Sequence, residues 1–308
     1  MIRNFEELIS AVKGEWTPTI AVAAAHDEFA LGSLREAADL GLAKGILVGN
    51  VKEIKRISRE FNIAIDDFEL IDCPDKTEAS HEAVRLIREG RAQALMKGLV
   101  DTSIILKAVL NRDTGIRKSE LLSHVGVFEI PTIPDRLIYV TDAAISMYPD
   151  LETKKRIIEN ALTVTNALGN TEPVVACVCA LEKVNPHMQA TVDAAALREM
   201  YRSGELTGCR VAGPVALDNA LFREAAIHKG VDDPNAGFGE ILLVPTIDVG
   251  NILYKSFSIV MRAKNAGVVV GAKAPVIMTS RVDPDDTKLN AIALAIRIAL
   301  RAGKADLS

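Results

Sequence analysis

The chain has 308 residues, of which 49% are hydrophobic and only 4% aromatic, so its core must be built from Ala, Val, Ile and Leu. The 36 Lys and Arg residues against 41 Asp and Glu give a net charge of -5, which argues against a general nucleic-acid binder. Four cysteines do not make a disulfide scaffold in a chain this long. The first residues lack a secretory pattern, and no apolar run reaches the ~18 residues of a membrane span. A cytoplasmic protein without membrane contact is therefore expected.

The first third of the chain alternates between helical patterns and strand-sized apolar runs. After a helix opened by the capping pair Asn4 and Glu7, strands are predicted at 19–25, 45–49, 68–72 and 93–97, and helices at 29–40, 50–61, 77–89 and 102–110. This rhythm requires parallel strands joined by crossover helices. Ligands of such sheets collect at the carboxyl ends of the strands, which directs attention to loops such as 25–28 and 97–101.

The alternation of strands and helices is interrupted between Gly115 and Tyr148, where strands at 123–130 and 136–141 are joined by a turn with a proline at each end. It then resumes, with strands predicted at 173–179, 240–244, 267–271 and 275–279, and helices at 151–168, 191–202, 216–228, 249–263 and 284–301. About ten strands are too many for one small sheet. We therefore expect two α/β lobes with mainly parallel sheets flanked by helices, and a crossing between them near residues 131–135.

Several well-known site patterns are missing from the sequence. No G-x-G-x-x-G follows a predicted strand, so the dinucleotide fingerprint is absent. No G-x-S-x-G indicates a serine hydrolase, and the five dispersed histidines and four cysteines have no metal-ligand spacing. We therefore expect neither a metal nor a permanently bound cofactor.

The segment 279–286 follows a predicted strand and precedes the last helix. Asp283 and Asp286 suit the N-cap and N3 positions of that helix. Ser280 and Arg281 then lie beside the positive end of the helix, where a hydroxyl, a guanidinium and backbone N–H groups suit a phosphate. Helix capping alone explains the two aspartates about as well as function does, whereas it does not require the Ser-Arg pair.

Two further strand-end segments carry cations and glycines. Lys97 followed by Gly98 suits an anion contact, although a solvated lysine before a turn glycine is an equally good interpretation. Gly250 would let a ligand approach the backbone, while Asn251 supplies a donor and an acceptor and Lys255 supplies charge one turn later. An ordinary helical turn with a surface lysine explains this second segment as well.

A fourth candidate combines Ser123 and His124 with Asp142 near the lobe crossing. A histidine in such a place is more often a satisfied core residue than a catalyst, and Asp142 also suits a simple turn. Taken together, the candidate segments suit the binding of phosphate and a bulky anionic cofactor.

These segments resemble the phosphate acetyl/butyryltransferase family over essentially the whole chain. The resemblance rests on Met96-Lys-Gly-Leu-Val, Ser123-His-Val-Gly-Val-Phe, Gly250-Asn-Ile-Leu-Tyr-Lys and Thr279-Ser-Arg-Val-Asp. Segments such as Thr191-Val-Asp-Ala-Ala and Gly213-Pro-Val-Ala-Leu-Asp are closest to the phosphate butyryltransferase branch.

The resemblance implies transfer of a short-chain acyl group between coenzyme A, a substrate rather than a resident cofactor, and inorganic phosphate. It also implies a homodimer and two α/β domains similar to those of isocitrate and isopropylmalate dehydrogenases. These domains would comprise residues 1–133 plus 284–308 and residues 134–283, with the active site in the cleft between them.

The resemblance also assigns roles to individual residues. In the acetyltransferase branch a Ser-Arg pair binds the phosphoryl group, and an Asp several residues later is the base toward the thiol. Ser280 and Arg281 match the pair, while the position of the base falls at Thr287, which leaves Asp283 and Asp286 as candidates. We expect acyl-CoA and phosphate to be bound by the strand-end residues Lys97, Gly98, Ser123, His124, Asp142, Gly250, Asn251, Tyr254 and Lys255.

Two alternatives remain at this level. A metal- and NAD-dependent dehydrogenase of a 2-hydroxy acid would use the same fold, with Asp283, Asp285 and Asp286 as metal ligands. A non-catalytic coenzyme A-binding protein would bind coenzyme A without phosphate-dependent thiol release. The sequence does not fix the acyl chain, because acetyl and butyryl groups differ by only a few methylenes.

Overall fold

A computed structural model describes residues 1–14, 16–278 and 285–305. The chain divides into two compact units. The N-terminal unit comprises Phe5–Glu120 and Ala266–Ser308, and the central unit comprises Met1–Asn4 and Leu121–Asn265. Among the described helices, none has the length and apolar character needed to cross a bilayer.

The described part of the N-terminal unit is a sheet with helices packed against it. Its strands are β1 Thr19–Ala23, β2 Lys44–Gly49, β3 Glu69–Asp72, β4 Ala94–Lys97, β10 Lys264–Val270, which begins two residues before the boundary, and β11 Val276–Ile277. Its helices are α1 Phe5–Val12, α2 Glu28–Asp39, α3 Val51–Glu60, α4 Lys76–Arg88, α5 Thr102–Leu110 and α11 Asp285–Ala305. The strand order is β3-β2-β1-β4-β11-β10, and every pair except β11–β10 is parallel.

Local sequence explains why these elements begin where they do. The Asn50 side chain accepts hydrogen bonds from the backbone N–H groups of Lys52 and Glu53, which caps α3. Asp75 caps α4 in the same way, as expected for side chains that satisfy the free donors of a helix start. The middle of β1 is fully buried, and because β1, β2 and β4 are parallel, their carboxyl ends meet at one edge of the sheet.

The central unit has five strands with helices packed against them. Its strands are β5 Ser123–Glu129, β6 Ile138–Thr141, β7 Val174–Val178, β8 Arg210–Val215 and β9 Ile241–Leu243, in the order β5-β6-β9-β7-β8. Only β5 runs antiparallel to its neighbour. The helices are α6 Leu151–Ala167, α7 Gln189–Ser203, α8 Leu217–Leu221, α9 Arg223–His228 and α10 Ile247–Lys255, which continues into a π-helical turn at Ser256–Val260.

The central unit differs from the sequence prediction in three places. The strand β8 was not predicted because Pro214 interrupts its apolar run, and proline is tolerated there since β8 is an edge strand of this unit. The helix predicted at 216–228 is interrupted at Phe222, whose backbone is extended. The helix predicted at 249–263 begins two residues earlier and loses its α-helical hydrogen bonding after Lys255.

The two units also divide the chain at positions other than the predicted 133/134 and 283/284. Strand β5 pairs with β6, so residues 121–133 belong with the central unit. Strand β11 pairs with β4 through Val276–Leu95 and Ile277–Met96, so the chain from residue 266 onward returns to the N-terminal unit earlier than predicted.

Candidate functional site

The carboxyl end of β4 places Lys97 and Gly98 against the loop that follows β1. The Gly98 N–H donates to the Ala23 carbonyl at 2.9 Å, and a Cβ on Gly98 would lie 2.4 Å from the Ala24 carbonyl oxygen. Only glycine fits this approach. Lys97 is half-buried, and its ammonium donates to the Gly98 carbonyl at 3.3 Å. A cation is therefore held at the edge where a parallel sheet binds its ligands.

His26 lies in the loop after β1 and was not predicted as a site residue, although its loop was marked. Its Nδ1 is buried without a hydrogen-bond partner among the described residues. Burial, aided by the nearby Lys76 cation, lowers the pKa of His26, against a smaller opposing effect of Glu53 and Asp27. His26 is therefore a neutral imidazole with an open polar atom at the ligand edge of the N-terminal unit.

The start of α11 carries one exposed and two buried polar residues. The exposed Asp286 accepts a hydrogen bond from the Thr287 backbone N–H at 2.9 Å. Thr287, at the position that the resemblance gives to the base, is buried, as is Lys288, whose ammonium lies 4.4 Å from the centre of the Phe29 ring. The sequence analysis did not select Lys288 as a site residue. Its position as a basic residue within an otherwise apolar stretch of α11 was the one feature of the sequence that could have indicated it.

Ser280, Arg281 and Asp283 lie outside the described residues. The chain approaches them through β11, in which Ile277 pairs with Met96, the neighbour of Lys97.

In the central unit, the antiparallel strand β5 brings His124 to the carboxyl end of β6. The Thr141 hydroxyl donates to the His124 carbonyl at 2.9 Å, and the imidazole meets the Tyr254 ring edge-on at 5.5 Å. Burial lowers the pKa of His124, opposed by the charge of Asp142. Its Nδ1 has no hydrogen-bond partner among the described residues. Because burial disfavours the charged form, His124 is a neutral imidazole.

Ser123 and Asp142 are committed to contacts within the central unit. Ser123 is fully buried, and its hydroxyl accepts from the Asn160 amide at 2.9 Å. The Asp142 carboxylate is also buried and accepts three backbone N–H groups, those of Ala144, Ile145 and Ser146. Asp142 thus fixes the turn after β6, which is the simpler of its two sequence interpretations.

Helix α10 packs on that turn through Gly250. A Cβ at this position would lie 2.6 Å from the Asp142 carbonyl oxygen, so only glycine allows the contact. Asn251 and Lys255 are exposed, four residues apart on one face of the helix. The half-buried Tyr254 donates its hydroxyl to Asn265 Oδ1 at 3.2 Å.

A buried ion pair near the ends of β7 and β9 was also missed by the sequence analysis. Lys154 of α6 and Asp193 of α7 are 2.5 Å apart, and their side chains are 7% and 6% exposed. They line a small cavity with Cys177 and Cys179. Burial raises the pKa of Cys177 strongly and that of Cys179 to about 11, so both remain thiols at neutral pH.

The described residues contain no group of three or more His, Cys, Asp or Glu side chains able to hold a metal ion.

Comparison with known proteins decides the family. A family model described as phosphate acetyl/butaryl transferase matches residues 74–296. The chain belongs to this family. A phosphate butyryltransferase from Clostridium beijerinckii is 45% identical over 98% of this chain and 99% of its own length. A phosphate acetyltransferase from Rhizobium meliloti is 39% identical over 99% of this chain and 96% of its own.

Solved structures agree with the membership of this acyltransferase family. A branched-chain phosphotransacylase from Enterococcus faecalis is 32% identical, with a TM-score of 0.81 over 92% of this chain and 99% of its own. A 4-hydroxythreonine-4-phosphate dehydrogenase from Klebsiella pneumoniae is 15% identical, with a TM-score of 0.56 over 92% of this chain and 100% of its own. That second likeness shows the fold alone.

Proposed function

We propose that this chain transfers a butyryl group, or a close short-chain homologue, between coenzyme A and inorganic phosphate. The observation that carries the proposal is the 45% identity to a phosphate butyryltransferase along nearly the full length of both chains. The identity to the phosphate acetyltransferase is lower, at 39%. Membership of the family supports acyl transfer, and this difference supports butyryl over acetyl.

The proposed reaction needs one phosphate oxygen and one sulfur to exchange places on the acyl carbon. Phosphate attacks the thioester carbonyl, the C–O bond forms, and the C–S bond breaks. The proton carried by the attacking phosphate passes to the departing thiolate of coenzyme A. Ser280 and Arg281 hold the phosphate charge, and Asp283 or Asp286 carries the proton. In the opposite direction the same carboxylate takes the proton from the thiol.

We assign the substrate contacts to residues at the carboxyl end of β4 and on the exposed face of α10. Lys97 and Gly98 serve an anionic group of the substrates, and the exposed Asn251 and Lys255 serve coenzyme A. His124 is neutral, so it contributes a hydrogen bond rather than a charge. Ser123, Asp142, Gly250 and Tyr254 support these residues from within the central unit. A homodimer in the cytoplasm, without a resident cofactor or metal, completes the proposal.

The direct test measures free thiol released from acetyl-, butyryl- and isobutyryl-CoA, with and without inorganic phosphate. We expect phosphate-dependent release with the highest kcat/KM for a four-carbon acyl group. Each methylene in an apolar pocket is worth roughly 10–200-fold in kcat/KM, so the series ranks the substrates clearly. Equal thiol release without phosphate would make the protein a thioesterase, and no release would exclude an acyltransferase.

Arg281→Ala tests the proposed phosphate contact. Removing one preorganised charge contact should lower turnover by about 10²–10³-fold, measured in the butyryl-CoA assay at saturating phosphate. Arg301→Ala, on the exposed end of α11, is the matched control and should retain full turnover. Wild-type turnover in Arg281→Ala would remove this residue from the mechanism.

A further inference from the structure

The N-terminal unit contains a basic cavity that the proposed reaction does not use. It has a volume of about 480 Å³, within the size range of small-molecule sites. Five cationic side chains line it against two carboxylates, those of Asp113 and Glu120. The cations are Arg88, Arg112, Arg117, Lys118 and Lys273. The cavity therefore carries an excess of positive charge in a protein whose net charge is -5.

These five cations are not neutralised by the rest of the described chain. None of their side chains forms an ion pair or a hydrogen bond with another described residue. Arg88 lies in the last turn of α4, where it also offsets the helix dipole. Arg112 directly follows the C-cap of α5, and the other three lie on loops away from any helix end. Like charges gathered without partners repel one another, and a bound anion relieves that repulsion.

The backbone that carries the cations is tied together. The N–H groups of Lys118 and Ser119 donate to the Gly271 carbonyl, and the Lys273 N–H donates to the Ile116 carbonyl at 2.8 Å. A tight turn at Asn111 precedes them, in which the side chain of Asn111 accepts the N–H groups of Asp113 and Thr114. Cations on a preordered backbone lose less entropy when they bind a ligand.

The cavity lies at the edge of the sheet opposite to Lys97. Arg88 ends the helix that leads into the amino end of β4, and Lys273 precedes the amino end of β11. The family site is expected at the carboxyl ends, so the cavity is a separate location within this unit.

The lining also limits the kind of anion. It consists of Arg, Lys, Asn, Asp, Glu, Ser and Gly residues, with neither an aromatic nor an aliphatic side chain. A nucleobase or an acyl chain would find no apolar surface there, whereas phosphate groups would find guanidinium and ammonium donors.

We propose that this cavity is a binding site for a compact, multiply charged phosphate anion of the pyrophosphate class. The proposal is independent of the acyltransferase reaction, because it rests on residues that the reaction does not use.

The test is isothermal titration calorimetry of the full-length protein with pyrophosphate, tripolyphosphate and ADP at low ionic strength. We expect pyrophosphate and tripolyphosphate to bind, and ADP to bind no more tightly than pyrophosphate, since the adenosine has no partner surface. The double variant Arg117→Gln/Lys273→Gln should weaken pyrophosphate binding by at least about tenfold.

Two control proteins separate this cavity from the family site and from general charge effects. Arg281→Ala should retain the pyrophosphate binding, and Lys52→Gln/Arg301→Gln, which removes two exposed cations elsewhere in the same unit, should retain it too. Thermal unfolding checks that all variants fold. Unchanged binding in Arg117→Gln/Lys273→Gln, equal weakening in the control, loss of binding in Arg281→Ala, or ADP binding far more tightly than pyrophosphate would overturn the proposal.

Discussion

Gly250 shows how a single missing methyl group positions a helix. Alanine at this position would bring Cβ to 2.6 Å from the Asp142 carbonyl oxygen and 2.9 Å from Ala143 Cα, both of them backbone atoms that cannot turn aside. We expect Gly250→Ala to displace α10 and to lower the free energy of unfolding by about 1–3 kcal/mol. Because Asn251 and Lys255 would move with the helix, KM for butyryl-CoA should rise as well.

Urea unfolding and steady-state kinetics measure these two effects. Gly303→Ala is the control, since a Cβ at that position in α11 meets no atom within 4 Å. It should leave KM unchanged and stabilise the protein by up to about 1 kcal/mol, because alanine is the better helix former. A Gly250→Ala protein with wild-type stability and KM would show that the close contact is not needed.

The sequence predicts which residue types lie near the strand ends but not how deeply they are buried. Lys97 and Gly98 were selected because a glycine directly after a strand is visible in the sequence, and the structure places both at the end of β4. Ser123 was selected for its hydroxyl, yet the structure buries it against Asn160. This burial depends on how α6 packs against β5, and the sequence around Ser123 does not predict that packing.

At the scale of the elements, the buried ion pair between Lys154 of α6 and Asp193 of α7 can be tested for its effect on stability. Lys154→Met would leave the Asp193 carboxylate buried, and of its side-chain partners among the described residues only the Gln189 amide would remain. Breaking a buried pair from one side usually costs about 3–5 kcal/mol, and we expect a loss of that size in urea unfolding. The neighbouring Lys155→Met removes a more exposed pair with Glu205 and should cost less than about 1 kcal/mol.

The double variant Lys154→Met/Asp193→Leu separates charge burial from packing. Replacing both charges by apolar groups should recover most of the loss, because no uncompensated charge then remains. A double variant as unstable as Lys154→Met would contradict this account and would point to the shape of the Lys154 side chain instead.

Elements with a complete local pattern were predicted, and those fixed by tertiary contacts were not. Helices α3 and α4 begin at Asn50 and Asp75, whose capping side chains are readable in the sequence. Strand β8 was missed because Pro214 is acceptable only at an edge, and the sheet order alone reveals that edge. The early return of the chain to the N-terminal unit likewise depends on the pairing of β11 with β4.

For the whole molecule, the half-buried His26 and the buried His124 make the free energy of unfolding depend on pH. His26 in the N-terminal unit and His124 in the central unit both have a pKa lowered from the ordinary 6.5, chiefly by burial. The unfolded chain therefore binds protons that the folded chain excludes. The contribution of these histidines to the free energy of unfolding is fully present above about pH 6.5. It is lost as the pH falls from there toward their lowered pKa values in the folded state. Each histidine contributes a slope of at most about 1.4 kcal/mol per pH unit.

Urea unfolding at a series of pH values from 7.5 to 5.0 measures this slope. We expect it to decrease in His26→Asn and in His124→Asn, and to decrease most in the double variant, whatever the absolute stability of each protein. His228→Asn, at an exposed position, should keep the wild-type slope. Removing a group whose pKa differs between the folded and unfolded states must change the number of protons exchanged on unfolding. If the double variant keeps the wild-type slope, carboxylates and not these two imidazoles govern the acid sensitivity.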